Sequence, residues 1–335
     1  MLKTSANEFL PTHQFNGIDI VKFIGAFCIC IIHIQPFQSE VLGLNLNYWL
    51  QSCFCRIAVP FYFAAAGFLL FRKTDFNRLN TDRIRGYCFK ILRLLGIWTF
   101  LLFVGPKEWV HAHLWYMGAL ALAVIVLSVL IYKGIPLHTI IIISVILYCI
   151  GLIGDSYYGF IEPLKAYSFP NALIEGYETV FATTRNGIFL GLLFVLIGAL
   201  FAQKRIVMNN IVAFIGLLVS LVMMVFEIYM LKHFSNPKDA NMSISLVFVI
   251  FFLFYLSVHV NLKNRPIYGS LRVIGMLFFY THQIVSFVVW STIEAANKNS
   301  SIQLILTIIL TLLLATLIER LSKTKKCQWL KYLYS

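Results

Sequence analysis

The chain alternates long apolar runs with short polar stretches. Ten runs stand out, at about 18–35, 48–71, 88–104, 113–132, 136–154, 185–203, 207–231, 243–259, 267–290 and 302–320. One helical crossing of a bilayer takes roughly 20 predominantly apolar residues. The pattern therefore predicts an all-α, polytopic membrane helical bundle of about ten transmembrane helices. It divides the chain into an N-terminal segment 1–15, a transmembrane body 16–320 and a basic tail 321–335. No internal repeat, low-complexity stretch or soluble domain interrupts the body. The longest connection, Asp155 to Thr184, is too short to fold alone and reads as a lid or a re-entrant piece.

Composition supports this reading. Apolar residues make up 60% of the 335 and charged residues only 12%, with a mean hydropathy of +0.82, values that belong to membrane proteins. The net charge of +13 does not mark a nucleic-acid binder, because the cations sit at the ends of apolar runs and form no stripe. Sorted by alternate loops, twenty Lys and Arg fall on one side: Lys3, Lys22, seven from Arg72 to Arg93, Lys133, Lys204, Arg205, Lys263, Arg265, Arg272 and five from Arg320 to Lys331. Six fall on the other: Lys107, Lys165, Arg185, Lys232, Lys238 and Lys298. The imbalance predicts a multi-pass protein of the plasma or inner membrane with both termini cytoplasmic. No cleavable signal peptide is expected, since residues 1–15 are polar and mixed and no small-residue cleavage site follows the first run. The seven cysteines are odd in number and lie mostly in apolar runs, as buried hydrophobes do. Neither Cys-x-Cys nor the His111-x-His113 pair has the spacing of a helical metal site, so no metal is expected.

The first run carries three ionisable residues that hydrocarbon should reject: Asp19, Lys22 and His33. Each costs about 2.5–3.5 kcal/mol at a span centre and so faces a bundle interior or a wet cavity by default. Lys22 and His33 are eleven apart, within roughly 20° of one helix face and about 16 Å apart along the axis. Asp19 and Lys22 are three apart and can pair. The span thus links a charged cytoplasmic mouth to an imidazole deep in the outer half.

Other chemistry is spread along the chain. The stretch Arg72 to Arg93 holds seven basic residues against two acidic ones, including Arg72, Lys73 and the pair Lys90 and Arg93 on one helical face. It reads either as a site for the phosphates of a nucleotide-bearing donor or as a topology-setting collar on anionic headgroups. Arg56 lies near the outer end of the second span, where it snorkels, pairs with an acid or binds an anion. The small residues Ala64 to Gly67 that follow let helices approach closely. Trp115 and Tyr116 are boundary aromatics. Arg185 and Asn186, with Asp155 in the loop before them, form either a set for a hydroxylated substrate or a cap with a snorkelling arginine. Glu227 and His259 read as structural. His282 lies deep enough in the ninth span to share a cavity with His33 or to serve as a packing residue.

GIDIVKFIGAFCICIIH resembles the first span of the membrane acyltransferase-3 family, whose members carry an arginine and a histidine there with ten residues between them. RIAVPFYFAAAGFLL, KILRLLGIW, HLWYMGALALA and YTHQIV are similar to further family segments, in order from the first span to the ninth. GLIGDSYYG and TRNGIFLGLLFVLIGAL look most like the membrane module of vancomycin-resistance serine racemases, here expected without a racemase domain. Two positions depart from the family pattern. Lys22 replaces the arginine, keeping charge but losing the bidentate fork, and Ala66 and Gly67 replace a Ser-Gly step.

The resemblance implies O-acyl transfer, with acyl-CoA (acetyl-CoA above all) as cytoplasmic donor and a hydroxyl of an envelope glycan or lipid-linked sugar as acceptor. It implies membrane lipid as surroundings and no nucleic-acid partner. A hydroxyl needs a base within hydrogen-bond reach, and imidazole suits that task at neutral pH. On this reading His33 deprotonates the acceptor or carries the acyl group, with Asp19 and Lys22 fixing the cytoplasmic end. Lys90, Arg93, Arg72 and Lys73 would hold CoA. Arg56, Trp115, Tyr116, Arg185, Asn186, Asp155 and His282 would form the acceptor side. The alternatives are a transporter or flippase for a small polar solute such as serine or for a lipid-linked saccharide, and a purely structural membrane partner.

Overall fold

A computed structural model describes residues 15–74, 76, 79–104, 113–181, 183–204, 206–235 and 237–335. Most of the N-terminal segment, His111, and Lys3, Arg78, Lys107 and Arg205 of the charge count lie outside the described residues. Eleven main helices follow one another: α1 (Asn16–Ile34), α2 (Leu46–Phe71), α3 (Thr81–Val104), α4 (Trp115–Tyr132), α5 (Leu137–Ile153), α6 (Ser168–Val180), α7 (Gly187–Ala202), α8 (Asn210–Phe234), α9 (Ile244–His259), α10 (Pro266–Thr292) and α11 (Ser300–Leu321). The one sheet among the described residues is a two-residue hairpin, β1 (Glu40–Val41) with β2 (Leu44–Asn45).

All ten predicted runs are helical, but they are unequal. Among the described residues seven helices are long and apolar enough to cross a membrane, and an eighth span results if α5 and the short helical stretch Tyr158–Ala166, bent by 74°, count as one. The remaining two, α7 and α9, are shorter; sixteen residues of α9 rise only about 24 Å. Residues 187–199 of α7 are nearly all buried, as expected of a helix apolar on every side. α3 begins at Thr81, seven residues before the predicted run, because the Asn80 side chain accepts the Arg83 amide at 2.9 Å and caps it. The polar turns read as loop are helix.

The tightest crossing joins α2 to α7. A Cβ on Gly67 would collide with the Val195 carbonyl, and one on Gly198 with the Ala64 carbonyl, so the small residues set the approach distance. Near its start α2 departs from α geometry, with a π turn at Leu50–Phe54 and a 3-10 turn at Cys55–Ile57. Glu227 of α8 takes a structural role: its carboxylate accepts the Ile244 and Ser245 amides at 2.7 and 2.8 Å and the Tyr157 hydroxyl at 2.8 Å, capping α9. α1 lies in a cradle of α2, α9, α10 and α11, and runs parallel to α10.

Candidate functional site

Two cavities lie along the seam between α1 and α10, one at the N-terminal half of both helices and one at the C-terminal half. The first, of about 230 Å3, is lined by Asp19 and Lys22 of α1, Lys90 of α3 and Arg272 of α10 at its mouth, and by Tyr62 and Tyr116 further in. The predicted Asp19–Lys22 pair is replaced by a stronger one. Arg272 donates through Nε to Asp19 Oδ1 at 2.9 Å and through Nη2 to Oδ2 at 2.6 Å. The guanidinium fork fits a carboxylate in a way an ammonium does not. Lys22 and Lys90 thus face the cavity while Asp19 is committed to Arg272.

The other predicted phosphate ligands lie elsewhere. Arg93 turns to the C-terminal segment, bonding the Ser335 carbonyl and standing 5.6 Å over the Tyr332 ring. Trp98, one turn on, donates to the Leu333 carbonyl at 3.0 Å. Arg72 stacks on Phe15 at 5.2 Å and lines a separate groove with Lys204 and His259. Lys73 is exposed.

The second cavity, of about 420 Å3, is lined by His33, His282, Gln283, Ser286, Trp290 and Gln303 among others. His33 sits in the last turn of α1 and is exposed to this cavity instead of deep in the bundle. Three imidazoles cluster here. The His33 ring is 5.6 Å from His282 and 6.5 Å from His113, and His113 is 5.2 Å from His282. Among the described residues no three His, Cys, Asp or Glu side chains are arranged to hold a metal ion. Between the cavities stands a partition of rings. Phe279 lies 5.5 Å from His113, 5.9 Å from Tyr116 and 6.4 Å from Tyr62.

Arg56, Arg185 and Trp115 are brought together, but around Asp239. Arg56 reaches its carboxylate at 3.4 Å and the Ala240 carbonyl at 3.2 Å, Arg185 approaches the other carboxylate oxygen at 3.8 Å, and the Arg185 guanidinium stands 5.7 Å over Trp115. Asn186 is a cap, its Oδ1 accepting the Ile188 and Phe189 amides at 2.9 Å. Asp155 is 2% exposed and clips the end of α5 to the segment before α9, accepting the Asn241 amide and side chain at 2.9 Å each and the Ser156 hydroxyl at 2.9 Å. Burial pushes its carboxyl above the ordinary range, and the Asn241 donors pull it back.

Over this end lies the predicted lid, folded as short helices ending in α6. Glu178 of α6 holds Lys165 at 3.0 Å and Lys238 at 2.8 Å. Those two ammonium groups draw its carboxyl down to about 2. Sequence reasoning passed over Arg272, Asp239 and the inward placement of His113. One signal was available: α10, like α1, carries a cation toward its start and a histidine further on, Arg272 and His282 being ten apart where Lys22 and His33 are eleven.

The comparisons with known proteins bear on the family of the chain. The chain is 26% identical to an amino-acid racemase of Enterococcus faecalis over 338 residues, which covers 93% of this chain and 47% of that protein. It is 27% identical to a serine/alanine racemase of Enterococcus gallinarum over 259 residues, 69% of this chain and 35% of that one. The chain thus spans about half or less of the length of the curated relatives it matches. No solved structure matches it. The family described as an acyltransferase domain matches residues 15–320, and with that match over nearly the whole bundle the chain belongs to this family of multi-pass membrane proteins.

Proposed function

We propose that the protein transfers an acyl group from acyl-CoA, acetyl-CoA foremost, to a hydroxyl of an envelope glycan or lipid-linked sugar. The observation that carries the reading is the pair of cavities that meet at the partition of Phe279 and Tyr116, one with a cationic mouth and one lined by imidazoles. The Lys22 and Lys90 end would face the cytoplasm, in keeping with the bias of twenty cations against six, and the anionic donor would enter there. Lys22 and Lys90 neutralise its phosphates as point charges. Its thioester reaches toward the rings, where the imidazoles about His33 serve the acceptor hydroxyl as base. Arg56, Arg185 and Trp115 border the acceptor side through Asp239.

Labelled acetyl-CoA and the purified protein test the reading. Binding is expected, with a loss of about tenfold or more on Lys90→Ala, the scale of one charge-assisted contact. Wild-type protein that neither binds nor cleaves acetyl-CoA sinks it. Serine uptake into proteoliposomes without CoA turnover would favour the transporter reading, which the same two-ended arrangement also serves.

A further inference from the structure

The second cavity holds an imidazole whose tautomer is fixed. His282 is 1% exposed, and its Nδ1 lies 2.8 Å from the Phe279 carbonyl oxygen and 3.2 Å from that of Phe278. A carbonyl can only accept, so Nδ1 carries the ring proton and Nε2 of the neutral ring presents a bare lone pair. With Nδ1 turned back onto its own helix, Nε2 lies on the outward edge of the ring. That nitrogen is closed off from solvent and has no hydrogen-bond partner among the described residues. Buried acceptors are nearly always paired. The Phe278 ring, stacked at 7°, fixes the imidazole plane. No hydrogen bond among the described residues fixes the tautomer of His33, which stands at the exposed end of its helix.

The surroundings say what kind of donor suits Nε2. Among the described residues, those lining this cavity include amides, a serine and aromatic rings, but no Lys, Arg, Asp or Glu. Gln303 donates to Ser286 at 3.1 Å, tying α11 to α10 across it. Such a lining suits an uncharged, hydroxylated group with an apolar face.

We propose that His282, through Nε2, is the catalytic base that takes the proton from the acceptor hydroxyl, with His33 facing the same hydroxyl as a positioning residue. The proposal rests on the acyl-transfer reading above. In the step, the acceptor O–H bond breaks and its proton goes to His282 Nε2. The oxygen pair forms the ester C–O bond at the thioester carbonyl carbon, and the C–S bond breaks with its pair leaving on the CoA sulfur. The imidazolium then returns the proton to that thiolate, and His282 is neutral again. Nδ1–H keeps its two carbonyl partners throughout, and their dipoles favour the charged ring while it lasts.

The test uses full-length protein, acetyl-CoA and neutral methyl glycosides as acceptor probes, reading CoA release and acetyl-CoA affinity separately. His282→Gln keeps an N–H for the carbonyls but has no basic nitrogen. It is expected to bind acetyl-CoA within about threefold of wild type and to lose about 100-fold or more in kcat, the scale of a general base. His282→Ala is expected to regain activity on addition of free imidazole, which a packing role would not produce. It also serves if the glutamine variant does not purify. His282→Gln turning over within threefold of wild type, or His282→Ala without imidazole rescue, overturns the assignment and leaves the acyl-transfer reading standing. A wild type that releases no CoA from acetyl-CoA overturns both.

Discussion

The two ends of the α1–α10 seam use charge in opposite ways. At the Lys22 end the one carboxylate, Asp19, is 4% exposed in its side chain and bound bidentately by Arg272, which leaves Lys22 and Lys90 uncompensated at the mouth. At the His33 end the acid Asp239 is 40% exposed and shared by two arginines, while the cavity beside them is lined by uncharged side chains and imidazoles. The Asp19 pair is short and bidentate, which makes it a structural fixture, whereas Asp239 is approached singly by Arg56 at 3.4 Å and by Arg185 at 3.8 Å, a looser arrangement that solvent weakens. One end thus carries uncompensated cations, and the described lining of the other is uncharged apart from its imidazoles.

Breaking the fixture should have the largest effect. Asp19→Ala leaves Arg272, itself 45% exposed, unpaired beside Lys22, and a loss of about 1–2 kcal/mol is expected once solvent screening of the arginine is counted, read as a lower melting temperature in detergent. Asp239→Ala, its counterpart at the wet end, should cost only about 0.5–1 kcal/mol; equal losses at the two ends would erase the contrast. Lys22→Met should weaken acetyl-CoA binding by about tenfold or more, the scale of one charge-assisted contact. Lys22→Arg within threefold of wild type would show that charge alone matters at that position.

The smallest effect concerns the lid. Because Lys238 and Lys165 hold the Glu178 carboxyl down to about 2, its contribution to lid stability is complete above the ordinary carboxylate pKa of about 4.3. It is lost as pH falls from there toward 2. Amide exchange in 158–180 should accelerate over that window in wild type, and Glu178→Gln should exchange faster throughout without the step. A lid indifferent to pH in wild type would show that the lysines do not hold it.

Much of this was legible in the sequence because apolar runs and spacing are local properties. The helices and the close packing around Ala64 to Gly67 follow from them, whereas the cavity shared by His33 and His282 was one of two readings that the sequence left open. Partners distant in the chain were not legible. Asp19 was given to Lys22, three residues away, yet the fold brings Arg272 from 253 residues on, and its fork wins over the ammonium. Arg93 was grouped with Lys90 by helical spacing, but a helix has other neighbours on the same face, and the C-terminal segment takes it. His113 entered the sequence reading only as half of a His-x-His pair without metal spacing, next to the boundary aromatics Trp115 and Tyr116. In space it meets Phe279 and His282.

The ring partition has an electrical consequence. A membrane protein hollowed from both ends shortens the insulating path across the bilayer to whatever lies between the hollows, and here that is a few aromatic side chains spaced 5.5–6.4 Å apart. If water fills both hollows from opposite sides, much of the membrane potential drops across the rings between them, a drop worth about 2.3 kcal/mol per unit charge for each 100 mV. Substituting Phe279 by a small polar residue would let water bridge the two hollows. The first sign of such a breach would be proton leakage through vesicles carrying the protein.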